Sequence, residues 1–145
     1  MSLGELDKKM KRLALCIQKN ANRKVAAMAI GIISQESQET PVDTGRARAN
    51  WQASVGFPVF DSIEAQPPGA GGSTAGANQA FAEAEAAARI RDFKPSDQSI
   101  FITHNLDYIL PLNEGHSAQN EPGWIERAIK DGIALSKNIK LTECK

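Results

Sequence analysis

Across residues 3–38 apolar side chains recur every three or four positions. At about 100° per residue, Leu6, Met10, Leu13, Ile17, Ala21, Met28 and Ile32 share one face. Lys8, Lys11, Arg12, Lys19 and Arg23 fall almost opposite. This is an amphipathic helix, and Ser2 followed by Glu5 three positions later supplies a capping box at its start. The last third differs, because residues 25–33 have no polar face. Such a segment must be covered all round, by its own domain or by another subunit. A helix this long extends on the order of 50 Å, wider than a domain of this size, so part of it is expected to project. Pro41 ends it.

Residues 40–45 read as a turn. Pro41 fixes φ, Asp43 hydrogen-bonds the backbone ahead of it, and Gly45 tolerates positive φ. Strict alternation follows, with Ala47, Ala49, Trp51, Ala53, Val55 and Phe57 on one face and Arg46, Arg48, Asn50, Gln52 and Ser54 on the other. That period predicts a half-buried strand, with residues 59–63 as a shorter partner. Residues 66–76, rich in Gly and Pro, have nothing to bury and read as a flexible loop. Residues 77–92 form an Ala-rich helix within this insertion. Its sizeable apolar side chains are Phe81 and Ile90, so loose docking is expected. Residues 99–103, apolar on both faces at their centre, fit an interior strand. A short irregular or helical piece covers 106–112. Pro122 then opens a last helix with an apolar stripe of Trp124, Ile125, Ala128, Ile129, Ile133, Leu135 and Ile139. Together these elements predict one α+β domain over residues 1–145: a long N-terminal helix, a small, mostly antiparallel sheet and a C-terminal helix.

Composition adds exclusions. The chain has 41% hydrophobic and 23% charged residues and a net charge of zero, so it is not a dedicated basic nucleic-acid binder. No apolar run approaches the roughly 18 residues of a membrane span, and nothing at the N-terminus reads as a signal peptide. Cys16 and Cys144 lie far apart and share no motif, so they read as unpaired thiols of a reducing, cytoplasmic setting. The zero charge conceals an asymmetry. Residues 1–50 carry +4, and residues 51–95 and 96–145 carry −2 each. A basic end and an acidic remainder suit head-to-tail self-association or an acidic neighbour.

Candidate chemistry is sparse. His104 and His116, with Asp107 and Glu114 nearby, match no metal-ligand spacing and read as loop histidines. Cys16 has no histidine beside it in sequence and reads as an inert thiol. Nucleophile-elbow, dinucleotide and phosphate-loop motifs are absent. The basic helix face carries no interleaved aromatic residue on which bases would stack.

Three segments resemble a known family. They are Thr-Pro-Val-Asp-Thr-Gly-Arg-Ala-Arg-Ala-Asn-Trp (40–51), Phe-Lys-Pro-Ser-Asp-Gln-Ser-Ile-Phe-Ile-Thr-His-Asn-Leu-Asp-Tyr (93–108) and Leu-Asn-Glu-Gly-His-Ser-Ala-Gln-Asn-Glu-Pro-Gly-Trp (112–124). In type and order they are similar to the head–tail joining, or tail-completion, proteins of long-tailed bacteriophages and prophages. Asp107 stands where that family usually has proline, and His104 where asparagine is usual. The resemblance implies a tail-terminator-like α+β subunit that forms a ring, either free or only on the tail, between tail-tube and head-connector proteins. DNA would merely pass through the channel. It implies a virion protein assembled in the host cytoplasm, with no catalytic residue, no metal and no cofactor. By motif position the subunit or partner contacts would be Asp43, Thr44, Gly45, Arg46, Arg48, Tyr108, Glu114 and Trp124. The basic face Lys8, Lys11, Arg12, Lys19 and Arg23 would meet acidic residues such as Asp97, Asp107, Glu114 and Glu121, with residues 25–33 holding the contact. The competing readings are a stand-alone DNA-binding protein and a small hydrolase built on His104, His116 and Glu114.

Overall fold

Ser2 opens the first helix, α1 (Leu3–Glu39), with both arms of the capping box made: Glu5 N–H donates to Ser2 Oγ at 3.2 Å and Ser2 N–H to Glu5 Oε2 at 2.6 Å. The structure, a computed structural model, describes residues 1–145 apart from Pro95, Asp97 and Gln98. Asp97, one of the acidic residues weighed for subunit contact, thus lies outside the described residues. After α1 come α2 (Arg46–Ala49), β1 (Gln52–Val55), α3 (Ala75–Ile90), β2 (Ile100–Thr103), α4 (Ile109–Asn113) and α5 (Trp124–Leu135), the last running into a 3-10 turn at Ser136–Asn138. The fold is α+β, with the long first helix, an antiparallel sheet and the C-terminal helix that the sequence predicts.

The core lies where the second half of α1 meets α3, α5 and the sheet. Ile33, Trp51, Ala53, Ala82, Ala86, Ile90, Ile109, Trp124 and Ala128 are buried there. Within residues 25–33, which lack a polar face, Ala29 and Ile33 are buried, Val25 is exposed and the others are partly covered, and α5 and α3 are the main neighbours of α1. The first half of α1 projects instead. Leu3, Leu6, Met10, Leu15 and Ile17 are exposed along it, as are Lys8, Lys11, Arg12, Lys19 and Arg23. Among the described residues no helix is long and apolar enough to cross a membrane.

Close backbone approach fixes the main helix crossing. A Cβ on Gly31 of α1 would stand 2.6 Å from Gly132 O of α5, and one on Gly132 would run into the Ile32 backbone. Glycine on both sides lets the two helices touch main chain to main chain. α3 is docked rather than loose: Asn78, Ala82, Ala86 and Ile90 repeat at i, i+4, i+8 and i+12 and are all buried. Alanine allows the approach that bulky residues would prevent.

The sequence reading fails at the strand of residues 47–57. Its first third is α2, a single turn of helix, and pairing is confined to four residues, Gln52 opposite Thr103 through Val55 opposite Ile100. Alternation counts side chains, not backbone bonds. Here Ala49 N–H donates to Gly45 O and closes a helical turn instead. Phe57, on the inner face of the predicted strand, is 81% exposed. Residues 59–63 form no strand. Side-chain amides hold them: Asn50 bonds both the N–H and the C=O of Ile63 at 2.8 Å, and Gln52 Nε2 donates to Asp61 O. β2 is therefore not an interior strand, since the described sheet has two strands.

The two cysteines are the clearest correction. Cys16 and Cys144 form a disulfide that closes a sequence separation of 128 residues, and no free cysteine remains. Spacing gave no hint of it because the partners meet only once the tail has returned along α1. Asn20 reinforces the tie by accepting from Thr142 N–H and donating to Thr142 O, at 2.9 and 2.7 Å. The thiol-based argument for a reducing compartment falls with it.

Candidate functional site

The three motif segments, up to 84 residues apart in sequence, converge on one cleft of about 310 Å³. Its walls come from Pro41, Val42, Asp43, Thr44, Gly45 and Ala47 of the first segment and Tyr108 of the second. Leu112, His116, Ser117 and Gln119 of the third complete it. Gln119 staples two of the segments, accepting from Val42 N–H at 2.9 Å and donating to Val42 O at 3.0 Å. The arrangement sets Thr44, Tyr108 and Ser117 beside apolar Val42, Ala47 and Leu112.

The Asp43–Gly45 turn owes its shape to residues 66–76. Asp43 Oδ1 accepts from Gly71 N–H, Asp43 O from Gly72 N–H and Thr44 O from Gly69 N–H, at 2.8 to 3.0 Å. The segment read as a flexible loop is thus bonded to the motif at three of its glycines. Buried Asn78 holds its start, accepting from Gln66 N–H at 2.6 Å and donating to Pro67 O at 2.9 Å. Gly45 has φ +90°, and a Cβ there would collide with the Asn78 amide, so glycine is required twice over.

Several predicted contact residues are occupied within the chain. Arg48 caps the end of α1, donating to Thr40 O and Gln38 O. Arg46 donates to Ile63 O and Ser62 Oγ and pairs with Glu64 at 3.1 Å. Trp124 is core, fully buried with its indole N–H on Leu112 O, and so is not available to a partner. Asp43, Thr44 and Tyr108 do border the cleft, and Tyr108 is 43% exposed. Partial burial raises the Tyr108 phenol above its ordinary value, against the pull of Arg46. Glu114, six residues later, is exposed but outside the lining.

The two histidines have separate tasks. His116 Nδ1–H donates to Pro111 O at 2.9 Å at the cleft edge. His104 lies beneath the cleft, its Nε2–H on Ala47 O at 2.8 Å and its ring edge-on to Trp51 with centroids 4.6 Å apart. Burial pushes its pKa down to about 4, and Nδ1 is left as a buried acceptor without a partner. Among the described residues no group of three or more His, Cys, Asp or Glu is placed to hold a metal ion.

Sequence reasoning missed Glu36. It is 2% exposed, its Oε2 has no partner, and burial pushes its pKa up to about 8. The place of Glu36 on the covered stretch of α1, three residues after Ile33, was the available signal. Its carbonyl takes bonds from Thr40 N–H and Oγ–H, and Thr40 Oγ accepts the Trp51 indole at 2.7 Å. This chain of bonds locks the α1 terminus to the strand entry. Comparison with models of known protein families, with curated proteins and with solved structures finds no match to this chain.

Proposed function

We propose that this protein is a structural subunit of phage virion assembly, which completes the tail and joins it to the head connector as a ring around the DNA passage. The observation that carries the reading is the uncovered first half of α1. Leu3 is 86% exposed, Met10 59%, Leu15 58% and Ile17 61%, on a helix whose second half is packed. So much apolar surface on a rigid projection has its natural use in contact with another chain. The three segments that resemble tail-completion proteins say which kind of assembly, and their convergence on one cleft supports reading them as parts of one surface.

The reading is tested in the phage or prophage that carries the chain. Deleting it should leave filled heads and finished tails unjoined, and purified protein added to that lysate should join them. Infectious particles at the undeleted yield would overturn the proposal.

A further inference from the structure

Residues 56–61 form an exposed knob with a fixed backbone. Ser54 Oγ–H donates to Phe57 O, and Gly56 N–H to Ser99 O. Asn105 Nδ2 donates to Val59 O, and Gln52 Nε2 to Asp61 O. Three alternate carbonyls are therefore tied down, yet the Phe57 and Phe60 side chains are 81% and 80% exposed. Two aromatic rings held in water by a rigid loop are preorganised for a partner. Asp61 and Glu64 beside them are exposed; Glu64 pairs with Arg46 of the same chain, which leaves Asp61 as the acidic group next to the rings.

A surface of opposite character lies on α1. Leu15 sits in the middle of the basic arc, with Lys8, Lys11, Arg12 and Lys19 around it, all exposed. Beside it runs a groove of about 430 Å³ lined by Arg12, Leu15, Cys16, Lys19 and Thr142. The far wall exists because the tail is strapped there by the Cys16–Cys144 disulfide and by the bonds of Asn20 to Thr142. Knob and groove do not meet within the chain: Phe57 and Phe60 stand in solvent, and the groove is lined by α1 and Thr142 with no residue of the knob.

We propose that the Phe57–Phe60 knob of one copy docks in the Arg12–Leu15–Lys19 groove of the next, so that the chain associates head to tail. This rests on the ring reading of the preceding section and names its contact. The apolar centres match, Phe57 and Phe60 against Leu15. The charges match as well, Asp61 against Arg12 and Lys19, while Glu64 already pairs with Arg46 of its own chain. Two different surfaces on one subunit generate a rotation that repeats, which is what a ring or filament requires. The aromatic rings supply the affinity and the exposed charges the orientation.

The test uses the full oxidised chain and three proteins: wild type, Phe57→Asp/Phe60→Asp, and Arg12→Glu/Leu15→Asp. Mass in solution is followed up to about 1 mM, where a contact with a Kd of that size is half formed. Wild type should grow with concentration beyond a dimer. Each variant alone should be monomeric, its association weakened at least about tenfold. Mixed in equal amounts, the two variants should form a heterodimer and stop there, because only one intact knob and one intact groove remain. A wild-type chain that stays monomeric overturns the proposal, as does a knob variant that still self-associates or a mixture that does not pair. Pairing of α1 with α1 through Leu6 and Met10 would show itself by leaving the knob variant fully associated. If either variant melts early, Arg12→Glu/Lys19→Glu and Asp61→Lys replace them at exposed positions: each alone should be monomeric, and the mixture should associate past a dimer because both combinations of knob and groove are then complementary; a mixture that does not associate overturns the proposal. Association by this contact without joining of heads to tails would remove the functional reading and leave the contact; joining by a chain that never self-associates would do the reverse.

Discussion

Glu36 and His104 are buried with one polar atom each unpartnered, and burial moves their pKa values in opposite directions on the proton scale. His104 titrates near 4 in the folded chain against 6.5 ordinarily, so the stability it contributes is present above pH 6.5 and lost as pH falls toward 4. Glu36 titrates near 8 against 4.5, so its contribution is present below pH 4.5 and lost as pH rises through 8. Between pH 4.5 and 6.5 the two slopes oppose each other; from 6.5 to 8 only Glu36 of the pair acts. Stability should therefore decline across that upper window, by at most about 1.4 kcal/mol per pH unit for one proton. Glu36→Gln, which cannot ionise, should flatten the decline in denaturant titrations at pH 6.5 and 8. A variant with the parent's slope would show that Glu36 is already ionised in the fold. A carboxylate within the last turn of a helix reads as solvated, and the sequence cue against that reading was the place of Glu36 three residues after Ile33.

Elements were legible where hydrophobic period and backbone bonding agree, and not where side chains do the bonding. The capping box at Ser2 and Glu5, the stop at Pro41 and the apolar stripe of α5 follow local rules, and all three are present. The strand of residues 59–63 is absent because Asn50, Gln52 and Asn105 stand in for a third strand, and no pattern rule reports an amide aimed at a distant carbonyl. Residues 66–76 repeat the lesson: composition argues for mobility, yet Gly69, Gly71 and Gly72 each donate to the Asp43–Thr44 turn. Their amides should exchange slowly, and Asn78→Leu should release them while leaving the buried volume nearly unchanged. Fast exchange of all three in the parent chain would favour the composition-based reading. At the main crossing, Gly132→Ala places a Cβ against the Ile32 backbone, where no side chain can move aside. Helix propensity gains about 1 kcal/mol from the change, but forcing the helices apart costs about 3 kcal/mol or more. The variant should melt well below the parent, and an unchanged melting temperature would mean that α1 and α5 are not in main-chain contact.

At the scale of the molecule, one covalent bond joins the two parts that the core does not reach. The first half of α1 is exposed on nearly every side, and residues 140–143 and 145 are exposed as well. Neither has a hydrophobic reason to be ordered against the other. What holds them is the Cys16–Cys144 disulfide, with Asn20 and Arg23 bonded to Thr142 beside it. The bond encloses nearly the whole chain, so in a chain-entropy model it removes about 5 kcal/mol of freedom from the unfolded state, an upper figure for what it adds to stability. Hydrogen bonds at an exposed site contribute about 1 kcal/mol each and cannot hold the tail once that constraint is gone. Reduction, or Cys144→Ser, should therefore have two separable effects. The melting temperature should fall, and amide exchange of residues 139–145 should rise to the rate of free chain while β1, β2 and α5 keep their protection. The groove beside Leu15 would lose its Thr142 wall, so self-association should weaken in the reduced protein as it does in the groove variant. A reduced chain whose tail remains protected would mean that the Asn20–Thr142 pair suffices. A reduced chain that melts with the parent would mean that the unfolded state is as free with the bond as without it.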